Sequence, residues 1–322
     1  MIDAKKIRGM LLGLATCDAL GVPVEFESRY TLKERPVTEM RAFGTWRQSA
    51  GTWSDDTSLT VATMESISRR KRIDYNDIAE NFLSWYDRDE FTANGKRFDV
   101  GNTTRASILR YSRRILPAIK CGATDDNTNG NGSLMRILPA ILYLFATRGK
   151  ISVDELKVIE NISALTHAHP ISKISCGIYA LIVAQVLSGK NISDAFVDGM
   201  NDAKTFYGND AEFKVFARLN EKFAALPEEM IYSGGYVVET LEAALWCLLN
   251  TNDFKSLALK AINLGGDADS VGAVAGGVAG LIYGVEEIPD DWLKVLKRRE
   301  WLEKMADDFA EVCRLEVSEV TS

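Results

Sequence analysis

Glycine recurs at every fourth position through an apolar segment in the last third of the chain, at Gly272, Gly276, Gly280 and Gly284. Valine and leucine keep helical spacing through the same segment, so it is predicted to be a helix rather than a flexible loop. Each glycine inside a helix costs about 1 kcal/mol relative to alanine. Four glycines on one face therefore indicate that neighbouring helices pack closely against this one, which makes it a central helix.

Helical spacing of apolar residues extends over most of the chain, which has 7 prolines in 322 residues. One helix is predicted to carry Ile7, Met10, Leu11 and Leu14 on one face and to end near Gly21-Val22-Pro23. Further helices are predicted after Ser54-Asp55-Asp56, after Ser152 with its capping-box partner Glu155, and along the stripe of Val238, Leu241, Leu245 and Leu249. Strand-like alternation is weak throughout. We therefore expect an all-α fold.

A linker rich in serine, proline and glycine is absent from the sequence, and no repeat period emerges. The strongest irregular segment is the polar loop 122–132, which has apolar helical segments on both sides. We interpret it as a site loop rather than a boundary. The prediction is a single domain over residues 1–322.

The charge and cysteine content exclude several classes of function. Lys plus Arg number 38 against 45 for Asp plus Glu, a net charge of −7 that disfavours nucleic acid as the main partner. The five cysteines are far apart and form no Cys-x-x-Cys pair, which argues against disulfides and thiolate zinc sites. No apolar run reaches the roughly 18 to 20 residues of a membrane span, and the start lacks a signal-peptide pattern. We expect a cytoplasmic protein without membrane contact.

Two acidic clusters have the same design, namely Ser54-Asp55-Asp56-Thr57 and Asp267-Ala268-Asp269-Ser270. Each places carboxylates beside hydroxyls just before a helix, and such oxygen ligands suit Mg²⁺, Mn²⁺ or Ca²⁺. The four aspartates would repel one another unless two divalent ions balanced their charge. The pattern indicates a dinuclear metal site, while the alternative is that each cluster only caps a helix.

Further segments carry residues suited to chemistry. Glu25 follows a proline-stiffened turn, and Asp99 stands before a predicted helix; both also fit simple helix ends. The segment Asn129 to Arg136 offers backbone N–H groups and a helix N-terminus, where phosphate can bind, but it lacks the P-loop lysine. His167 and His169 are the two histidines, too few for a histidine-built metal site.

Together these segments resemble the ADP-ribosylglycohydrolase family. The resemblance spans most of the chain and rests on six motifs in the family's order: Gly13 to Gly21 with Glu25, Ser54 to Thr57, Asn129 to Arg136, Thr166-His167, Gly235 to Leu241, and Gly265 to Ser270. It implies a compact, orthogonal multi-helix bundle with a cleft for two Mg²⁺ or Mn²⁺ ions. The sequence departs by having serine at positions 54 and 270, where the family often has threonine, and alanine at position 268.

The resemblance also implies roles for individual residues. The metal-ligand positions are Ser54, Asp55, Asp56, Asp267, Asp269 and Ser270. Glu25 or Asp99 would serve as the catalytic acid or base. The predicted substrate-binding residues are Asn129, Gly130, Asn131, Gly132, Ser133, Met135, His167 and Tyr236, with Tyr236 offering a face for adenine stacking; for Tyr236 a half-buried core position is the alternative.

The implied activity is metal-dependent removal of ADP-ribose from modified protein side chains, with ADP-ribosylarginine as the expected substrate. Three alternatives stay open at this point. The enzyme could cleave another ADP-ribosyl linkage, such as that to serine or to a small metabolite. It could instead be a non-catalytic ADP-ribose-binding protein of the same fold, or an immunity protein that neutralises a toxin. The sequence gives no oligomeric state.

Overall fold

Helices make up nearly all the regular structure of the protein, for which a computed structural model describes residues 2–320 and the side chains of residues 2–314. In chain order they are α1 Ala4–Gly21, α2 Arg29–Glu34, α3 Asp55–Arg70, α4 Tyr75–Arg88, α5 Asn102–Ser112, α6 Leu138–Arg148, α7 Val153–Ser163, α8 Pro170–Leu187, α9 Ile192–Tyr207, α10 Val237–Leu249, α11 Phe254–Asn263, α12 Ala268–Tyr283, α13 Asp290–Val295 and α14 Arg299–Val320. Residues 2–320 contain three isolated β-bridges and no longer strand. The all-α prediction is confirmed.

Local signals set several helix ends as the sequence predicted. Ser54 caps α3, its hydroxyl accepting from the backbone N–H of Asp56, and Ser152 forms a capping box with Glu155 at the start of α7. One prediction was wrong: α6 begins only at Leu138, so residues 131–136 form turns rather than a helix N-terminus. The turns are held by hydrogen bonds from the N–H groups of residues 134 and 135 to the Asn131 carbonyl.

Helices α1 and α12 pack backbone against backbone, as the glycine repeat predicted. A Cβ added to Gly280 would lie 1.9 Å from the Gly9 carbonyl oxygen, and one added to Gly276 would lie 2.6 Å from that of Gly13. Neither position therefore has room for a side chain. The contact brings the end of α1 to the start of α12, because a Cβ on Gly21 would lie 2.3 Å from the Asp269 Cα.

Two helical segments have the length and apolar composition of a membrane span, contrary to the expectation from sequence. They are Ala4–Val24, in which an apolar stretch of 18 residues is 94% buried, and Pro170–Leu187, which is 72% buried. Helices in the core of a folded domain pass the same test of length and composition. Their burial against the rest of the protein accounts for their apolar character.

Candidate active site

The two acidic clusters meet at one carboxylate. The hydroxyls of Ser54 and Ser270 both donate to Oδ2 of Asp56, at 3.0 Å and 3.2 Å. The second of these bonds joins residues 214 positions apart in the chain. Close packing of α1 and α12, with α3 beside them, therefore turns two separate sequence motifs into one cluster.

The cluster contains carboxylate oxygens that the protein itself does not satisfy. Oδ1 of Asp56 and Oδ2 of Asp269 are buried and have no hydrogen bond partner among the described residues. Two groups of three carboxylates have oxygens within 4.8 Å of one another: Asp18, Asp56 and Asp269, and Glu25, Asp99 and Asp269. Buried anionic oxygens at this spacing fit divalent cations, and Asp269 belongs to both groups.

Burial raises the pKa of five carboxyl groups of the site, those of Glu25, Asp55, Asp56, Asp99 and Asp269, and mutual repulsion adds to the effect. The pKa values of Asp55, Asp56 and Asp269 lie well above their ordinary range. The pKa of Asp99 rises to about 7, through burial and the charge of Asp267. That of Glu25 rises to about 10, through burial and the charge of Asp99. When ionised, these carboxylates carry an excess of negative charge, which bound cations would balance.

Asp18 differs from the other carboxylates because both of its oxygens already accept hydrogen bonds from the protein. It accepts hydrogen bonds from the backbone N–H of Ser54, at 2.8 Å and 3.0 Å, and from that of Thr57, at 3.1 Å. The Thr57 hydroxyl donates to it as well. Asp18 thus fixes the turn that begins α3 and points the next two aspartates into the site. Asp18 lies within the first family motif, Gly13 to Gly21, where the sequence pattern gave it no role of its own.

Glu25 is held in place by contacts that link it to the second acidic cluster. The Trp46 indole N–H donates to its Oε2. The adjacent Phe26 N–H donates to the Gly266 carbonyl at 2.6 Å. Gly266 has φ +70°, and a Cβ there would lie 2.4 Å from the Ser233 carbonyl oxygen, so this turn requires glycine. Trp46 was missed because a tryptophan in an irregular segment carries no periodic signal.

A cleft of about 220 Å³ opens over the cluster. Of the residues expected in the site, it is lined by Glu25, Asp55, Asp99, Gly130, Asn131, Gly132, Met135, His167, Asp267 and Ser270. Ser54, Asp56 and Asp269 lie buried beneath them and do not line the cleft. Asn131 links the turn that contains Gly130 and Gly132 to the second acidic cluster, since its Nδ2 donates to Oδ2 of Asp267 at 3.0 Å.

Three of the residues expected to bind substrate do not line this cleft. The Ser133 hydroxyl is fully buried and accepts from that of Ser163 at 3.0 Å. The Asn129 side chain accepts from the Ser172 hydroxyl at 2.9 Å. Tyr236 is 38% exposed and precedes α10, beside Gly235, which does line the cleft.

A larger groove of about 480 Å³ lies against α9, between apolar side chains such as Phe196, Met200 and Phe213. Its lining includes one carboxylate, Glu221, and two lysines, Lys204 and Lys222. It lacks a group of convergent acids, so the chemistry of the molecule belongs to the smaller acidic cleft.

The fold and the acidic cleft are those of a glycosidic-bond hydrolase. The chain belongs to the ADP-ribosylglycohydrolase family, whose model matches residues 2–318. It is 34% identical to the ADP-ribosylarginine hydrolase Tri1 of Serratia proteamaculans, over 94% of this chain and 78% of that protein. It is 32% identical to the ADP-ribosyl-dinitrogen reductase glycohydrolase of Rhodospirillum rubrum, over 89% of each chain.

A solved structure agrees with this assignment. The chain superposes on an ADP-ribosylglycohydrolase-related protein complex with a TM-score of 0.80 and 32% identity, over 96% of this chain and 98% of the other. Fold and sequence therefore place the protein among enzymes that hydrolyse ADP-ribosyl bonds.

Proposed function

We propose that the protein is a metal-dependent hydrolase that removes ADP-ribose from arginine side chains. The observation that carries the proposal is the pair of orphaned oxygens on Asp56 and Asp269, at the junction of the two acidic motifs. Similarity to an ADP-ribosylarginine hydrolase over 94% of the chain supports arginine as the acceptor.

The residues proposed to hold two Mg²⁺ or Mn²⁺ ions are the four aspartates and two serines of the acidic clusters: Ser54, Asp55, Asp56, Asp267, Asp269 and Ser270. Bound there, such ions orient ribose hydroxyls and make water more acidic. Hydroxyl and carboxylate oxygens are the ligands these cations prefer. The serine hydroxyls also keep Asp56 in a fixed orientation, through the bonds they donate to it.

Proton transfer is assigned to Glu25 or Asp99, which both line the cleft. Cleavage of the bond to the anomeric carbon passes through a cation-like state, and it needs a proton for the departing nitrogen and a base for the attacking water. The Trp46 N–H fixes one oxygen of Glu25, which leaves the other for the proton. The two residues therefore supply an acid and a base on the same cleft.

The remaining lining suits the rest of ADP-ribose. Gly130 and Gly132 expose backbone N–H groups that donate no hydrogen bond within residues 2–320. Free N–H groups in a turn bind phosphate oxygens. We assign the diphosphate to this turn, beside His167, and a ribose to the neighbourhood of Asn131.

The test is release of ADP-ribose from peptides modified on arginine or on serine, each with Mg²⁺, Mn²⁺ or EDTA. We expect release from the arginine peptide with metal and none with EDTA. Release from the serine peptide alone would show that the acceptor is serine rather than arginine, and the protein would still be an ADP-ribosyl hydrolase. Binding of ADP-ribose without release from either peptide would favour another linkage or a binding protein.

A further inference from the structure

Arg136 is a fully buried cation beside the cleft. Its pKa falls to about 10 through burial, so it stays charged at neutral pH. No carboxylate forms an ion pair with it among residues 2–314. Instead Nε donates to the Gly132 carbonyl at 3.1 Å, and the guanidinium lies 4.5 Å from the centre of the Phe82 ring. A buried charge without an anion is costly, which suggests that it serves a purpose beyond packing.

The most direct contact of Arg136 is with Thr166. Its Nη2 donates to the Thr166 hydroxyl oxygen at 2.7 Å, and the same oxygen lies 2.8 Å from Nδ1 of His167. Guanidinium groups only donate, so Thr166 must accept from Arg136. The hydroxyl has one proton, and the only other partner that the structure gives it among the described residues is Nδ1. If Nδ1 donated instead, the proton of this buried hydroxyl would have no acceptor among the described residues, so the Thr166 hydroxyl donates to Nδ1.

The proton of the neutral imidazole must then sit on Nε2. Burial, aided by the nearby Arg136 charge, lowers the pKa of His167 to about 3, so the ring is uncharged at neutral pH. The ring faces the glycine turn, since a Cβ on Gly130 or on Gly132 would lie 3.5 Å from Nε2. Nε2 has no hydrogen bond partner among the described residues, and His167 lines the cleft.

We propose that Arg136, acting through the Thr166 hydroxyl, is a positioning residue that fixes His167 as the Nε2–H tautomer. The ring then presents a hydrogen bond donor, rather than an acceptor, to the cleft. An acceptor would repel the oxygens of an anionic ligand, whereas the donor adds to the free N–H groups of Gly130 and Gly132. The backbone of His167 is fixed too, because its N–H donates to the Ser163 carbonyl at 2.8 Å.

The tautomer can be observed directly by ¹⁵N NMR of the imidazole rings. The chain has 2 histidines, so protein labelled on histidine gives two ring spin systems. His169→Gln identifies the signals of His167 by elimination. We expect Nδ1 of His167 at the shift of an unprotonated nitrogen and Nε2 at that of a protonated one. A proton on Nδ1 in the wild-type protein would overturn the proposal.

Two matched variants test the relay, which is the chain of hydrogen bonds from Arg136 through the Thr166 hydroxyl to His167. Thr166→Val keeps the shape of the side chain and removes the hydroxyl, so we expect the His167 proton to distribute over both nitrogens. Thr166→Ser keeps the hydroxyl and should retain the wild-type spectrum. An unchanged His167 spectrum in folded Thr166→Val would overturn the role of Thr166. Should that variant not fold, Arg136→Lys, which keeps a donor, should retain the Nε2–H signal, and loss of the signal with the fold intact would overturn the relay.

The consequence for the ligand rests on the proposed function and is measured separately, by titrating the wild-type and variant proteins with ADP-ribose and Mg²⁺ in a calorimeter. We expect Thr166→Val to bind roughly 10-fold more weakly and Thr166→Ser like the wild type. Equal affinity for all three would overturn the positioning role. A wild-type Nε2–H signal without any ADP-ribose binding would contradict the proposed function but not the relay.

Discussion

Single oxygens at the junction of the acidic motifs set the requirement for cations. Asp56 has one oxygen that accepts from two serine hydroxyls and another that is buried without a partner. Asp269 likewise accepts from the Ser270 N–H with Oδ1, at 2.9 Å, and leaves Oδ2 unsatisfied. A buried acceptor without a partner costs roughly 1 to 3 kcal/mol, and more when charged. Metal binding should therefore stabilise the fold as well as support turnover.

We expect Mg²⁺ to raise the melting temperature of the wild-type protein and not that of Asp269→Asn. A ligand at 100 times its Kd contributes about 2.7 kcal/mol to folding, and Asp269 belongs to both carboxylate groups. Differential scanning calorimetry with Mg²⁺ and with EDTA measures the effect. Asp291→Asn, at an exposed carboxylate, is the control and should keep the rise. An equal rise in Asp269→Asn would contradict the assignment.

Glu25→Gln should slow hydrolysis by about 10² to 10⁴ and change ADP-ribose affinity far less. The amide keeps the size of the side chain and can still accept from Trp46, but it cannot exchange a proton. Single-turnover rates and binding titrations separate the two effects. Glu34→Gln, at an exposed position on α2, should behave as the wild type. A loss confined to binding would remove Glu25 from proton transfer.

Among the helices, the contact between α1 and α12 positions the site. Gly280→Ala should lower the free energy of unfolding by at least about 3 kcal/mol, although alanine is the better helix former by about 1 kcal/mol. The added Cβ would meet the Gly9 backbone at 1.9 Å, which cannot give way. Urea unfolding followed by circular dichroism measures the change.

Gly277→Ala is the matched control on the same helix. Its Cβ would lie 2.4 Å from Cδ1 of Leu138, the end of a flexible side chain that can move aside. We expect a loss below about 1.5 kcal/mol. Equal losses for the two variants would mean that backbone contact between α1 and α12 is not what the repeat provides.

Helix α2 contributes a cation that joins the loops around the site. Arg29 donates to the carbonyls of Leu264, at 3.0 Å, of Glu228, at 2.5 Å, and of Ile231. Leu264 directly precedes the glycines of the second acidic motif, and Ile231 leads into the segment that pairs with the Gly130 turn. One guanidinium thus fixes both loops relative to α2.

Arg29→Met should cost about 2 to 4 kcal/mol of stability and raise KM, because three carbonyls each lose a hydrogen bond and that of Ile231 is left without a donor among the described residues. For Arg29→Lys we expect a stability and a KM between those of the wild type and Arg29→Met, since an ammonium group can reach fewer of the three carbonyls. Urea unfolding and steady-state kinetics check this order. Arg35→Met, at an exposed residue at the end of α2, should have little effect. Wild-type KM in Arg29→Met would show that the loops hold their positions without it.

For the molecule as a whole, the sequence predicted what local patterns determine. Apolar spacing and capping residues identified α1, α3, α7, α10 and α12, because a helix depends on neighbours three and four positions away. The glycine repeat identified the central helix, since close packing needs a row of small residues. Acidic motifs beside hydroxyls indicated the cation site.

Contacts between distant segments could not be predicted in this way. Trp46 reaches Glu25 from an irregular loop, and Arg29 reaches three carbonyls far along the chain. Arg136 lies in the motif Asn129 to Arg136, but its burial without an ion-pair partner depends on contacts with Phe82, Ile162 and Thr166, which are distant in the chain. The start of α6 was misplaced because turns 131–136 carry the same residues that a helix N-terminus would.

The long separation between the two acidic motifs also sets when the acidic cluster can form during synthesis of the chain. A ribosome that adds 5 to 20 residues per second needs roughly 10 to 40 seconds to pass from Asp56 to Ser270, 214 positions later. Throughout that interval the glycine face of α1 lacks its partner helix, and the early aspartates lack the late ones. Unfinished chains therefore carry Ser54, Asp55 and Asp56 without Asp267, Asp269 and Ser270, and the acidic cluster can assemble only late in translation.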